Sequence, residues 1–135
     1  MDMSIDFPGG SRVNAHFGAF TVCTDQPASR GGDGSAPTPF DIFLAALGTC
    51  AGIYVLGFCR ERNLPTEGIR LIQRVQISSV TKLAESITLE IELPPDFPAK
   101  YRGAVIRVAE QCRVKKNLEY PPKFEVKTTG QAVSV

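Results

Sequence analysis

From Pro39 to Asn63 the side chains stay apolar almost without interruption, PFDIFLAALGTCAGIYVLGFCRERN. This run predicts a helix with marked ends. Thr38 suits the N-cap, Pro39 the first helical position, and Asp41 the acid of a capping box. The helix should run about 23 residues, or about 35 Å, until Arg60-Glu61-Arg62, Asn63 and Pro65 stop it. Ile42 to Cys59 is a stretch of 18 residues without a charge, the lower limit for crossing a bilayer. Gly48 and Gly52 even repeat the small-residue spacing of membrane helix pairs. Against a span, Gly48, Thr49, Gly52 and Gly57 dilute the hydrophobicity, and the amphipathic strands elsewhere need an apolar surface to pack on. A helix that is apolar all round is what the centre of a compact domain requires. The glycines then imply that another backbone comes close, the same helix of a second subunit being one candidate.

Around this helix the pattern changes to alternation. RVNAHFGAFTVCTD, after Gly9-Gly10, reads as a strand pair. QPASRGGDGSAPTP is a loop rich in Gly, Ser and Pro, long enough to cover something. Its GGDG lacks the GK[ST] that a phosphate loop needs. EGIRLIQRVQISSV and ESITLEIELP are two alternating runs across TKLA and predict an antiparallel pair. In AKYRGAVIRVAEQC, Tyr101, Ala104, Val105, Val108 and Cys112 fall on one side of a second helix. RVKKNLEYPP reads as a break and KFEVKTTGQAVSV as a terminal strand. Strands, long helix, strands, helix, strand is an α+β order.

Composition and charge narrow the class. A chain of 135 residues is a single domain, 1–135, able to bury about two-thirds of its surface. With a net charge of +1 and no sustained basic run, neither nucleic acid nor an anionic membrane is an expected partner. Arg113, Lys115, Lys116 and Lys123 read as a solvated face. MDMSIDFPGG has neither the basic nor the apolar region of a signal peptide, so a cytoplasmic chain with reduced thiols is expected.

The cysteines stand at 23, 50, 59 and 112 with no CxxC pair, and His16 is the only histidine. A zinc site is therefore not expected. Cys50 and Cys59 are nine residues apart, about 900° of helix, and face opposite sides. Cys50, among Gly48, Thr49, Ala51 and Gly52, has the easiest access. Cys59, beside Tyr54, Leu56 and Phe58, looks like packing. Cys112 closes the second helix where a thiol can be mobile and exposed. From the residues alone, either inert packing or a redox pair remains open.

PTPFDIFLAALGTCAGIYVL resembles the central-helix signature of the OsmC/Ohr family of thiol-dependent hydroperoxide reductases, with Cys50 eleven positions after Pro39. AEQCRV resembles the context of that family's second cysteine and gives Cys112. The resemblance covers nearly the whole chain. It implies an α+β OsmC-like fold, with antiparallel strands around a long buried central helix and the resolving cysteine on a second helix. It also implies an intertwined homodimer with sites at the subunit interface. Cys50 would attack an organic hydroperoxide and become a sulfenic acid. Cys112 would resolve it as a disulfide, and an external dithiol, a lipoyl-type one among the candidates, would restore both. No cofactor and no metal are implied. The family activates its thiol with an arginine from the N-terminal strands, held by a carboxylate at the start of the long helix. Arg12 and Asp41 are the matching residues here. Asp41 lies about 13 Å along the axis from Cys50 and on another face. It can serve that site only across a two-fold axis.

The chain departs from the peroxidase pattern at three places. Phe40 stands where glutamate is usual, Arg113 where proline often follows the second cysteine, and Ala109 where a histidine is often found. These departures place it nearer the OsmC-like branch. A competing reading is a thiol redox sensor, or a binder of apolar ligands with little turnover. A thiol hydrolase would lack a base in reach.

Overall fold

A computed structural model of the chain describes residues 1–130. Three antiparallel strands open it: β1 (Ser4–Gly9), β2 (Arg12–Phe17) and β3 (Phe20–Thr24), in the order β1-β2-β3. The expected hairpin is β2–β3, with Val13 opposite Thr24 and Phe17 opposite Phe20. The first strand was not expected from the sequence. It turns back at Gly9-Gly10, where φ values of 142° and 57° suit a residue without a Cβ.

The long helix α1 spans Pro39–Glu61, as its apolar run predicts. Its capping box is complete: the Asp41 N–H donates to Thr38 Oγ1 at 3.2 Å and the Thr38 N–H donates to Asp41 Oδ2 at 3.1 Å. The strands β4 (Arg70–Ile77) and β5 (Ala84–Glu92) follow as an antiparallel pair. Their alternation sorts the faces. Leu71, Leu89 and Ile91 pack against the core, while Arg70 pairs with Glu92 and Arg74 with Glu90 on the other side.

A 3-10 turn at Ala99–Tyr101 leads into α2 (Arg102–Ala109), and α3 (Arg113–Glu119) follows directly. The core lies where α1 meets α2. Ala51, Val55, Phe58 and Cys59 of α1 are buried with Val105, Ala109 and Cys112, at the i, i+4, i+7, i+8 spacing of one helical face.

Four expectations need correction. Segment 113–119 is helical rather than a break, because the Cys112 sulfur caps it and Lys115 reaches Glu119 one turn on. Cys112 is buried, 2% exposed, rather than loose at a helix end. The terminal strand is absent over 123–130, where Phe124 and Val126 stand exposed with no neighbouring strand to supply a ladder; residues 131–135 lie outside the described residues. Finally, α1 is not enclosed by its own chain. Only 22% of its apolar window, mean hydropathy 2.1, is buried. One face packs on α2 and β4, while Phe40, Phe43, Ile53 and Tyr54 are exposed. The N-terminal sheet packs over no extended area of α1 or of the β4–β5 pair.

Candidate functional site

The site forms where the α2–α3 junction crosses α1. Cys112 has φ −49° and ψ 124° and is the N-cap of α3. Leaving the helical region there turns its side chain back, so that its sulfur accepts the Lys115 N–H at 3.5 Å. The same thiol lies 3.9 Å from the Leu47 carbonyl oxygen of α1, one turn before Cys50. That contact sets the first residues of α3 against Cys50, whose thiolate form is favoured by the Val114 N–H, the Cys112 thiol and the Arg113 N–H. Two thiols from residues 62 positions apart in sequence thus act on one another's ionisation.

The surroundings treat the two sulfurs oppositely. Burial pushes the half-buried Cys50 thiol up. The Val114 N–H, the Cys112 thiol, the Arg113 N–H and the Arg113 guanidinium together outweigh it, leaving the pKa below its ordinary value. The Cys112 thiol goes up. Burial is the main cause and the neighbouring Cys50 sulfur adds to it, with the Lys115 N–H opposing. Hydrogen bonds donated to a thiolate favour the charged form, and the donor of such a bond holds its own proton. The arrangement therefore gives one sulfur nucleophilic character and keeps the other a protonated neighbour. Cys59, fully buried, is pushed up by burial and acts as packing. Cys23 is exposed on β3.

Arg12 and Asp41 are not brought to the thiols within one chain. Arg12 stands exposed beyond the β1–β2 turn, its Nε–H donating to the Gly9 carbonyl at 3.2 Å. Asp41 is engaged in the α1 cap. The residue that the sequence reading missed is Arg113, grouped there with a solvated face. Its signal was weak. A run with no proline or glycine between Arg113 and Glu119, with Lys115 four before Glu119, is compatible with a short helix whose first N–H groups would need an acceptor.

Gly48 also has a local reason. A Cβ there would come within 3.2 Å of Gln73 Oε1, and the Gln73 amide donates to the Leu44 carbonyl at 2.9 Å. Thus β4 rather than a second helix occupies the space beside Gly48, whereas Gly52 faces open space. On the other side of Cys112 an apolar cleft of about 830 Å³ runs between α2, α3 and β5. Leu47, Leu89, Val105 and Ile106 line it, together with the charged Arg102, Lys115, Glu90 and Glu110.

A family model described as OsmC-like protein matches residues 32–127. No curated protein matches the chain by sequence. Among solved structures, an osmotic stress induced and detoxification response protein of Psychrobacter arcticus is similar with a TM-score of 0.73 at 18% identity, over 85% of each chain. An organic hydroperoxide resistance protein, OsmC, of Legionella pneumophila has a TM-score of 0.55 at 16% identity, over 87% of this chain and 89% of its own. An organic hydroperoxide resistance protein of Vibrio cholerae, with captopril in one of its active sites, has a TM-score of 0.53 at 17% identity, over 90% and 85%.

Proposed function

Since the chain belongs to the OsmC-like family, we propose that its peroxide-related redox role is that of a thiol peroxidase reducing organic hydroperoxides. The observation that carries the reading is the meeting of Cys50 and Cys112 at the start of α3, where each acts on the other's ionisation, with the Cys50 pKa depressed and the Cys112 pKa raised. The Cys50 thiolate attacks the outer oxygen of the hydroperoxide. The O–O bond breaks, the departing alkoxide takes a proton from solvent as alcohol, and Cys50 becomes a sulfenic acid. The Cys112 thiol then condenses with it, releasing water and forming a disulfide. An external dithiol reduces that bond by exchange, ending as a cyclic disulfide and returning both thiols.

In this reading two chains form a homodimer in which the partner's exposed N-terminal sheet brings Arg12 toward Cys50, with Asp41 holding the guanidinium. The support is the apolar face of α1 that its own chain leaves bare. Arg113 supplies a cation from within the same chain.

The apolar cleft beside Cys112 favours a second reading, an apolar-ligand binder whose thiols sense oxidant. One experiment separates the two. Reduced protein is given cumene hydroperoxide and a dithiol, and peroxide consumed per chain is counted. Many turnovers, lost in Cys50→Ser, are expected. A single stoichiometric oxidation would assign the sensor role.

A further inference from the structure

Asp25 is the one buried charged side chain among the described residues, 1% exposed, and the chemistry above gives it no part. It sits just after β3, where the loop to α1 begins. Its carboxylate accepts the Gln26 N–H at 2.7 Å, the Ser35 N–H at 2.9 Å and the Ser35 hydroxyl at 2.6 Å. Its own N–H donates to the Pro37 carbonyl at 3.1 Å. Side chain and backbone of this one residue therefore tie the start of the loop to residues ten and twelve positions on, Ser35 and Pro37. The hydrogen bonds, that of the Ser35 hydroxyl foremost, hold its pKa at about 2 against the opposing effect of burial, so the clamp stays charged at any ordinary pH.

The closed loop is tight. A Cβ at Gly32 would fall 1.9 Å from the Gln26 carbonyl oxygen, far inside contact distance, so the backbone must pass where no side chain fits. The outer bend of this loop rests on the β1–β2 turn. Ser11 Oγ donates to the Gly31 carbonyl at 2.9 Å, and Asp33 Oδ2 lies 4.0 Å from where Gly10 would carry a Cβ. Arg12 is the next residue after Ser11. The N-terminal sheet has no broad packing against the rest of its chain, so this loop is what fixes the height and direction of the turn that carries Arg12.

We propose that Asp25 is a positioning residue for Arg12: it closes the 25–37 loop into a rigid strut, and Ser11 transmits that strut's placement to the guanidinium. The inference rests on the reading that Arg12 serves the Cys50 site. A carboxylate with three donors is a firm anchor, because removing it leaves buried N–H groups without an acceptor. A cation aimed at a thiolate must be held by residues that are themselves fixed.

The test is the pH midpoint of Cys50 alkylation, read on the Cys50 peptide by mass spectrometry after brief exposure of the full chain to iodoacetamide. Arg12→Ala should move the midpoint upward. Asp25→Asn and Ser11→Ala should move it the same way by less, and Ser11→Thr, which keeps the hydroxyl, should restore it. In an Arg12→Ala background neither change should add anything, an outcome that general loosening of the fold would not produce. Ser11 lies on the surface, so its variant remains informative should Asp25→Asn fail to fold. If Arg12→Ala raises the midpoint while Ser11→Ala leaves it at the wild-type value, or if the effects add, the strut is overturned and the Arg12 reading stands. If Arg12→Ala itself moves nothing, the pairing of Arg12 with Cys50 fails and the strut falls with it.

Discussion

At the scale of single residues, Arg113 acts on Cys50 in two ways that separate by substitution. Its backbone N–H favours the thiolate, and its guanidinium adds a favourable charge. Arg113→Ala removes the charge and keeps the N–H, so the Cys50 thiol should ionise at higher pH, though still below an unperturbed thiol. Because the thiolate is the nucleophile, the peroxide reaction at neutral pH should slow in step with the lost ionised fraction. Stopped-flow oxidation across a pH series would show it. An unchanged profile would mean that the N–H groups of Val114 and Arg113 and the Cys112 thiol suffice. Asp41 separates cap from chemistry in the same manner. Asp41→Asn keeps an oxygen for the Thr38 N–H but loses the charge. If Asp41 only caps α1, stability should fall by less than the ~1 kcal/mol typical of a lost cap and turnover should hold. If it orients an arginine across a dimer, turnover should fall at least tenfold with the melting temperature nearly unchanged.

At the scale of elements, local chemistry decided what could be read in advance. Helix α1 was legible to the residue at its start because Thr38, Pro39 and Asp41 act on their own neighbours. The β4–β5 pair was legible because alternation and a short turn specify both its faces and its register. Two elements were not. In β1, Pro8 and Gly9 cut the alternation of Ser4-Ile5-Asp6-Phe7 to four residues, and its ladder comes from β2. Helix α3 depends on a cysteine cap, a residue type that carries no capping signal in sequence. Arg113 was misplaced for the same cause. Its role exists only because α3 begins against α1. The 25–37 loop was read as a cover from its glycines and serine, and the buried carboxylate that organises it gave no sign beyond being an aspartate before a proline-rich stretch. That carboxylate makes an acid-stability prediction. Its pKa drops from 3.8 to about 2 on folding, so the unfolded chain binds its proton first as pH falls. The stabilisation is therefore fully present above about pH 4 and lost as pH falls through about 2. Urea midpoints measured from pH 6 to pH 2 should fall more steeply for the wild type than for Asp25→Asn. Parallel curves would show that the loop bonds do not depend on the charge.

At the scale of the whole molecule, the exposed area argues that one chain is not the finished object. The chain exposes 10469 Å², whereas a compact monomer of 14.6 kDa exposes roughly 6,900 Å². Some of the excess lies on the extended, exposed 121–130 segment. Much of the rest is apolar and lies on the face of α1 opposite the core and on the N-terminal sheet, where Phe7 and Phe20 stand 81% and 68% exposed. Obligate interfaces remove on the order of 2,000–5,000 Å² and resemble a domain core cut in two, and the proposed dimer would place one here. Gly52, with open space beyond its missing Cβ, leaves room there for a second backbone. In the proposed dimer folding and association should be one event, because its own chain leaves most of the apolar window of α1 unburied. The melting temperature should fall on dilution from micromolar to nanomolar chain concentration. Ile53→Asp, on the exposed face of α1, should lower it further and abolish the dependence by preventing assembly. Sedimentation of a stable monomer at micromolar concentration would remove the dimer, and with it the route by which Arg12 and Asp41 reach Cys50. The thiol pair would then have to work with the cations of its own chain, Arg113 foremost.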